Sequence, residues 1–366
     1  MNYNASIKIL SPVHIGGGAE KNWQRGADFV HHEGQIFVLQ QNKVWSNLDD
    51  REQSRYMTLM SLGKLNELER FLCDSLDLND VANRSFEYDG SFKSSEIKTL
   101  LRDGNGEAYI PGSSIKGAMA SAIYHFLYNA IKPNHYNELT VKELLGTFDR
   151  ALGRYIRPYD SSKIATIVSD IELYNLYREG MDWEGDYKDG SGFPMAVETF
   201  APESEGTFRL SLAQELGDFM TTQADKMNRA LLPSYYKMLF GTSPQQNLFR
   251  VINAYTHTHA LREKVYFEKY NDLEDIDLVI EKLEDIIALT ETPSSDTCVL
   301  RMSFGSGFHG ITGDWRFTNH SDTVYNPDKM NMIYSHKTKQ KEASRYKTRR
   351  LAFPFAGNMG FVKIKV

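Results

Sequence analysis

The stretch Tyr109-Ile110-Pro111-Gly112-Ser113-Ser114-Ile115-Lys116-Gly117-Ala118 constrains the chain most, because an extended run is stopped by Pro-Gly and a helix begins at once behind two serines. Behind it, Ile115, Ala118, Met119, Ala122, Ile123, Phe126, Leu127, Ala130 and Ile131 recur at steps of three and four, which predicts a helix buried along one face. Ser113 or Ser114 is expected to cap its first turn and leave other amide donors free. Lys116 falls in that turn, where a cation opposes the helix dipole unless an anion sits nearby. A phosphate suits such a site. The stretch is equally compatible with a capped core helix whose lysine is solvated.

The chain before this motif begins with alternation. Tyr3, Ala5, Ile7 and Ile9 alternate with polar residues and predict a strand with one face inward. Val13-His14-Ile15-Gly16-Gly17-Gly18 follows, with Lys21, Trp23 and Arg25 close behind. Successive glycines let a backbone come close to a ligand and aim amides at it, although such runs are as often plain turns. Residues 27–30 and 35–40 read as a hairpin turning at Glu33-Gly34, residues 52–76 as helical, and Asp103-Gly104-Asn105-Gly106 as a turn leading into the central motif.

After the central helix, Arg150, Arg154, Arg157 and Lys163 are interleaved with Tyr155 and Tyr159, the mixture of cations and rings that a single nucleic-acid strand requires. A solvated loop has the same composition. Residues 164–173 read as a strand and 180–192 as an acidic glycine-rich loop. Residues 195–200 and 206–212 read as a second hairpin. This order fits a four-stranded antiparallel sheet with helices on one face, the ferredoxin-like or RRM-like plan. Beyond residue 216 the pattern starts again, with helices over 218–238 and 275–289, a strand over 298–304, the loop Gly305-Ser306-Gly307-Phe308-His309-Gly310, and a closing strand over 360–366. The expected fold is therefore α+β. Its two RRM-like domains cover 1–215, with an insertion at 46–106, and 216–366, with a helical insertion at 216–297.

Charge is distributed unevenly. The net charge of -6 argues against a protein coated in nucleic acid, yet residues 271–285 hold seven acids and one lysine, while residues 329–350 hold eight Lys or Arg and one Glu. One face on a polyanion and another on solvent or protein would explain the asymmetry, as would two solvated surfaces. No run approaches the roughly 18 apolar residues of a membrane helix, and the first residues lack signal-peptide character, so a cytoplasmic protein is expected. Cys73 and Cys298 lie far apart and form no CxxC pair, so they are expected in the core.

Familiar catalytic patterns fail in context. Gly305-x-Gly307-x-x-Gly310 has the letters of a dinucleotide fingerprint but lacks the following helix and parallel units. Gly112-x-x-x-x-Gly117 continues into Ala118-Met119 rather than Lys-Ser. His257-x-His259 and His31-His32 have no further ligand at metal spacing, and no cofactor is expected. His14 could serve as a base for RNA cleavage, but with no acid in view a hydrogen-bonding role suits it better.

Taken in order, the Pro12-Val13-His14-Ile15-Gly16-Gly17-Gly18 strand end, the 28–39 hairpin, the Ile110–Gly117 motif and the late glycine loop resemble the RAMP superfamily of CRISPR effector proteins. The start, the 36–39 strand and the closing Gly360-Phe361-Val362-Lys363 look most like the fifth Csm subunit family of type III-A complexes. The resemblance implies a non-catalytic RNA-binding subunit that caps the filament at the 3′ side of the guide RNA (crRNA). It also implies partners among other RAMP subunits, especially the repeated backbone subunit, and host nucleases recruited for guide maturation. Carried over by position, Gly16, Gly17, Gly18, Ser113, Ser114 and Lys116 would meet guide phosphates, and Gly305, Ser306, Gly307 and His309 would form the equivalent second loop. His14, Lys21, Arg25, Arg154 and Arg157 complete the expected RNA surface. Members often carry tryptophans in the late loop, where Phe304 and Phe308 stand here. Two rivals remain, an endoribonuclease using His14 or Asp28 and a general single-strand RNA-binding module.

Overall fold

The computed structural model describes residues 1–18, 21–88, 92, 94–131, 154–176, 183–185, 193–213, 234, 238–239, 241–269, 275–307, 333–334, 341–342, 348–353, 355 and 357–366. The helix expected over 218–238 falls almost wholly outside these residues. Arg150, Phe308, His309 and most of the basic tract from Lys329 fall outside them too.

The strand Asn2–Ile9 is the centre of a five-stranded, fully antiparallel sheet. On one side it pairs with Glu205–Leu212, which in turn pairs with Ile156–Pro158; on the other it pairs with the closing strand Phe361–Lys365, which carries Thr297–Arg301 at the edge. The sheet therefore joins strands from both sides of residue 215. Helices Gly112–Ile131 and Pro244–Lys269 cover one face, where Ala5, Ile7, Ile9, Leu210 and Ile364 meet Ile115, Met119, Ile123, Phe249 and Ile252 in one core. The apolar stripe of the central helix is thus buried as its spacing predicts. Asn253 and Thr256 of the long helix bond the backbone of Thr297 and Val299, which blunts the otherwise open edge of the sheet.

A second sheet runs in the order Gly357–Asn358, Thr348–Phe353, Thr166–Leu176, Phe193–Phe200, Glu96–Lys98, Trp23–Gln24. This corrects the sequence reading at one place. The runs 195–200 and 206–212 are not a hairpin; they belong to different sheets, and 193–200 pairs with 166–176 instead. The physical cause lies in the link. Glu203 adopts φ 69, and residues 203–204 bond the end of the first strand (Glu203 N to Ile9 O, 2.8 Å; Ile9 N to Ser204 O, 2.9 Å), so the chain steps from one sheet to the other.

The hairpin Phe29–His32 with Gln35–Leu39 forms as expected, and Glu33 and Gly34 take φ 48 and 75, the geometry of a type I′ turn. With Ala82–Glu87 it makes a three-stranded sheet whose core is closed by the helices Asp50–Ser61 and Leu65–Ser75. The helical reading of 52–76 is split in two by Gly63, at φ 64. Both cysteines are free; burial pushes the Cys73 thiol up to about 11 and that of Cys298 well above its ordinary value, so both are poor nucleophiles.

Candidate RNA interface

After Ile9 the chain stitches the two sheets together. Leu10 and Ser11 donate to the Phe361 carbonyl, Val13 bridges Phe200, His14 bridges Phe304, and Gly16 bridges Leu100. Gly17 N–H donates to Thr99 O at 3.1 Å, and Leu101 N–H to Ile15 O at 2.8 Å. The two glycine-rich loops, more than 280 positions apart in sequence, are therefore neighbours across the His14–Phe304 bridge. Gly16 and Gly18 are exposed, Gly17 is half-buried, and Lys21 is exposed beside them.

The first loop rests on a buried carboxylate. Glu198, whose side chain has no exposure, accepts from Leu100 N–H at 3.0 Å and pairs with Arg102, while its carbonyl meets His14 Nδ1 at 2.7 Å. Arg102 also reaches the Gly106 carbonyl (2.8 Å) and lies 5.6 Å from the Trp23 ring. A strap from Thr99 to Arg102 is thus held beside the glycines, with an arginine stacked on a half-exposed tryptophan.

Several expected contacts are corrected by this geometry. His14 is 5 % exposed and serves as a joint between sheets, because its ring is spent on Glu198 and packs edge-on to Phe304 at 5.5 Å. Arg25 turns away from the loop, its Nε–H shared between both Glu69 carboxylate oxygens and its Nη1 donating to Phe92 O, and Arg102 stands with Trp23 instead. Ser306 is buried, its hydroxyl donating to Ser303 O at 2.7 Å; Gly305 is buried against Met359 with φ 80, and of the described loop residues 305–307 only Gly307, half-buried, reaches the surface. Phe304 lies under Arg350 and against His14, so its ring is already occupied.

The central helix starts at Gly112 itself. Ser113 and Ser114 are therefore in its first turn rather than at its cap, and the Gly112 amide donates to Asp160 Oδ1 at 2.8 Å. Ser113 is exposed, and Ser114 and Lys116 are half-buried. This start lies against the edge strand Ile156–Pro158, whose Arg157 is exposed, as is Arg154 just before it; Arg209 covers the Tyr159 ring at 3.8 Å. The strap that leaves Gly16 at Leu100 turns at residues 103–106 and returns through the Arg102–Ala108 bridge to the helix start, so Arg102 and Lys116 stand on one continuous segment. Trp23 was already visible as a ring beside the glycines. Arg102 and Glu198 were missed, and the signal for Glu198 was a lone carboxylate in the apolar strand Met195-Ala196-Val197-Glu198.

Buried charge supports the second loop as well. Glu263 takes Arg349 Nε at 2.8 Å and Asn358 Nδ2 at 3.2 Å. Burial alone would raise its pKa, but Arg349 and Arg301 outweigh it and hold the carboxyl below its usual range. Arg301 in turn bonds Met359 O, the residue packed on Gly305. Among the described residues, no three His, Cys, Asp or Glu side chains gather as metal ligands; His257 bonds Thr290 and His259 is buried in the long helix. No helix among them is long and apolar enough to cross a membrane.

His14 gives the site a pH signature. Burial lowers its pKa, with the Glu198 carbonyl and carboxylate acting in the opposite sense. The unfolded chain therefore binds the proton more readily, and the support His14 gives the fold is complete above about pH 6.5 and drains as pH falls below it, by up to ~1.4 kcal/mol per pH unit. Urea titrations from neutral to mildly acid pH should show this slope, and His14→Gln should flatten it. An equal slope in the variant would assign the proton uptake to another group.

Comparison with known proteins agrees with this architecture. The RAMP superfamily profile matches residues 6–317. Among curated relatives, the CRISPR system Cms protein Csm5 of Streptococcus thermophilus is 22% identical over 272 residues, covering 67% of this chain and 74% of the relative. The protein of the same name from Methanocaldococcus jannaschii is 27% identical over 196 residues, covering 50% and 43%. A chain of a Csm–crRNA–target RNA ternary complex of a type III-A CRISPR-Cas system superposes with TM-score 0.68 at 19% identity over the full length of both chains. The crystal structure of T. onnurineus Csm5 superposes with TM-score 0.61 at 16% identity, covering 98% and 99%.

Proposed function

The chain belongs to the RAMP superfamily, and on that premise we propose that it is a crRNA-binding subunit of a type III-A effector complex, capping the filament of repeated backbone subunits at the 3′ side of the guide without cutting RNA itself. The observation that carries this reading is the convergence of the two glycine loops at the His14–Phe304 bridge, with Lys21 and Trp23 just after the first loop and Arg102 reaching Trp23 from the adjoining strap. Exposed glycine amides and lysines suit phosphates, and a ring backed by an arginine suits a base. The names of the relatives and the RNA complex among the structural neighbours support the same reading. Against the nuclease rival, His14 is buried, and Asp28 Oδ2 accepts Gln24 N–H at 2.8 Å to close a turn.

Tagged protein drawn from its host should bring down short RNAs sharing a repeat-derived end together with other RAMP subunits. Protein emerging alone and without RNA would refute the proposal. On purified complex, Lys116→Ala is expected to weaken RNA binding and reduce the salt slope by about one phosphate's worth, close to 0.7 in log–log units for a single strand, with little loss of stability. An unchanged slope returns Lys116 to a solvated surface role.

A further inference from the structure

The face of the five-stranded sheet opposite the helix pair has its own feature. A trough of about 1230 Å³ runs between that face and the acidic helix Ile276–Glu291. Alternation along the strands sets its floor: Ile7, Ile9, Val362 and Ile364 point to the core, so Lys8, Lys363 and Lys365 point into the trough. Lys8 and Lys363 stand directly opposite each other in register, an arrangement that costs stability through like-charge repulsion. Glu203 relieves Lys8 at 2.6 Å and Asp296 stands 3.9 Å from Lys365, whereas Lys363, and Lys282 on the facing helix, have no ion-pair partner among the described residues; beside Glu203, Asp285 is the other carboxylate of the lining. Between these cations the walls are apolar, with Leu10, Leu278 and Phe361 lining them and Leu289 left 36 % exposed at the rim.

We propose that this trough binds an acidic segment of a partner protein that also carries apolar side chains. Charge complementarity selects the acids, since cations left unpaired on two facing walls favour an anion between them. The apolar walls select against a bare nucleic-acid strand, which would bring phosphates and need open aromatic faces. The volume, about 1230 Å³, exceeds the roughly 300–1,000 Å³ of small-molecule sites and leaves room for a peptide segment. The inference stands apart from the RNA reading, because the trough and the helix bearing Lys116 lie on opposite faces of the sheet.

The test uses the full chain and a fluorescein-labelled peptide of leucine and glutamate at helical spacing, read by fluorescence anisotropy, beside a matched peptide with lysine in place of glutamate. The acidic peptide is expected to bind and the basic one not. Lys363→Glu and, separately, Leu289→Glu should each weaken binding by about tenfold or more, and Lys116→Ala should leave it unchanged. Both substituted positions are solvent-accessible, so thermal melts matching the wild type confirm that the fold is kept. No binding of the acidic peptide, or undiminished binding by both variants, overturns the proposal. Displacement of the peptide by an oligouridine, with Lys363→Glu lowering affinity for that RNA, would overturn it in favour of a nucleic-acid surface.

Discussion

Replacing Glu198 by alanine is expected to lower the free energy of unfolding by about 3–5 kcal/mol, the cost of leaving a desolvated ion-pair partner without its counter-charge. The carboxylate is fully buried and has three attachments around it: Leu100 N–H on one oxygen, Arg102 on the other, and His14 on the carbonyl of the same residue. Alanine keeps the backbone contact but abandons the amide and a guanidinium whose side chain is only 17 % exposed. Arg102→Met should cost less, and the double variant should recover part of the loss, because removing both charges leaves no orphan. The denaturation midpoint in urea reads the effect, with an unchanged m-value expected for an intact two-state transition. A loss under about 1 kcal/mol would mean that water reaches the site and that Glu198 does not organise the strap. Guide binding should fall further than stability alone explains, since the strap beside the glycines is what Glu198 holds.

What the residues disclosed in advance, and what they hid, follows from the range of each signal. The central helix was legible because its apolar residues repeat every three or four positions, and a face of that width has to be buried wherever the helix docks. The 29–39 hairpin was legible for a similar local reason: Glu33-Gly34 tolerates the two positive φ values of its turn. Sheet membership was not. Alternation tells which face of a strand is buried and says nothing about its neighbour, so 193–200 and 205–212 look like a hairpin although residues 203–204 divert the chain between sheets. The same blindness to distance exchanged Arg25 for Arg102. Arg25 is near the glycines in sequence but is claimed by Glu69, 44 positions away, while Arg102 arrives at Trp23 from the strap. The hydrogen-bonding role of His14 was legible, but its partner was not: Glu198, 184 positions on, supplies the carbonyl that lets the ring be buried rather than face RNA.

Gly112 and Gly117, five residues apart in one motif, are expected to respond to alanine in opposite ways. A Cβ on Gly112 would lie 2.8 Å from Pro158 C and 2.9 Å from Tyr159 C, and nearer still to Pro158 O, all of them backbone atoms that cannot swing aside. Gly112→Ala must push the helix start off the edge strand and stretch the 2.8 Å bond to Asp160, at a cost of about 1–3 kcal/mol or more from overpacking. Gly117 is the reverse case. A Cβ there meets nothing within 4 Å among the described residues, and the position is exposed inside a helix, where alanine is favoured over glycine by roughly 0.5–1 kcal/mol. Gly117→Ala should therefore raise the thermal midpoint. Among the described residues nothing accounts for a glycine at that place, whereas a nucleic-acid backbone passing close to the first turns of the helix, beside Ser113 and Lys116, would. The same variant that melts higher should then bind guide RNA more weakly, and this opposition is the informative result. A Gly117→Ala protein that is both more stable and fully competent for RNA would remove the helix start from the interface and leave the binding to the two glycine loops and the strap between them.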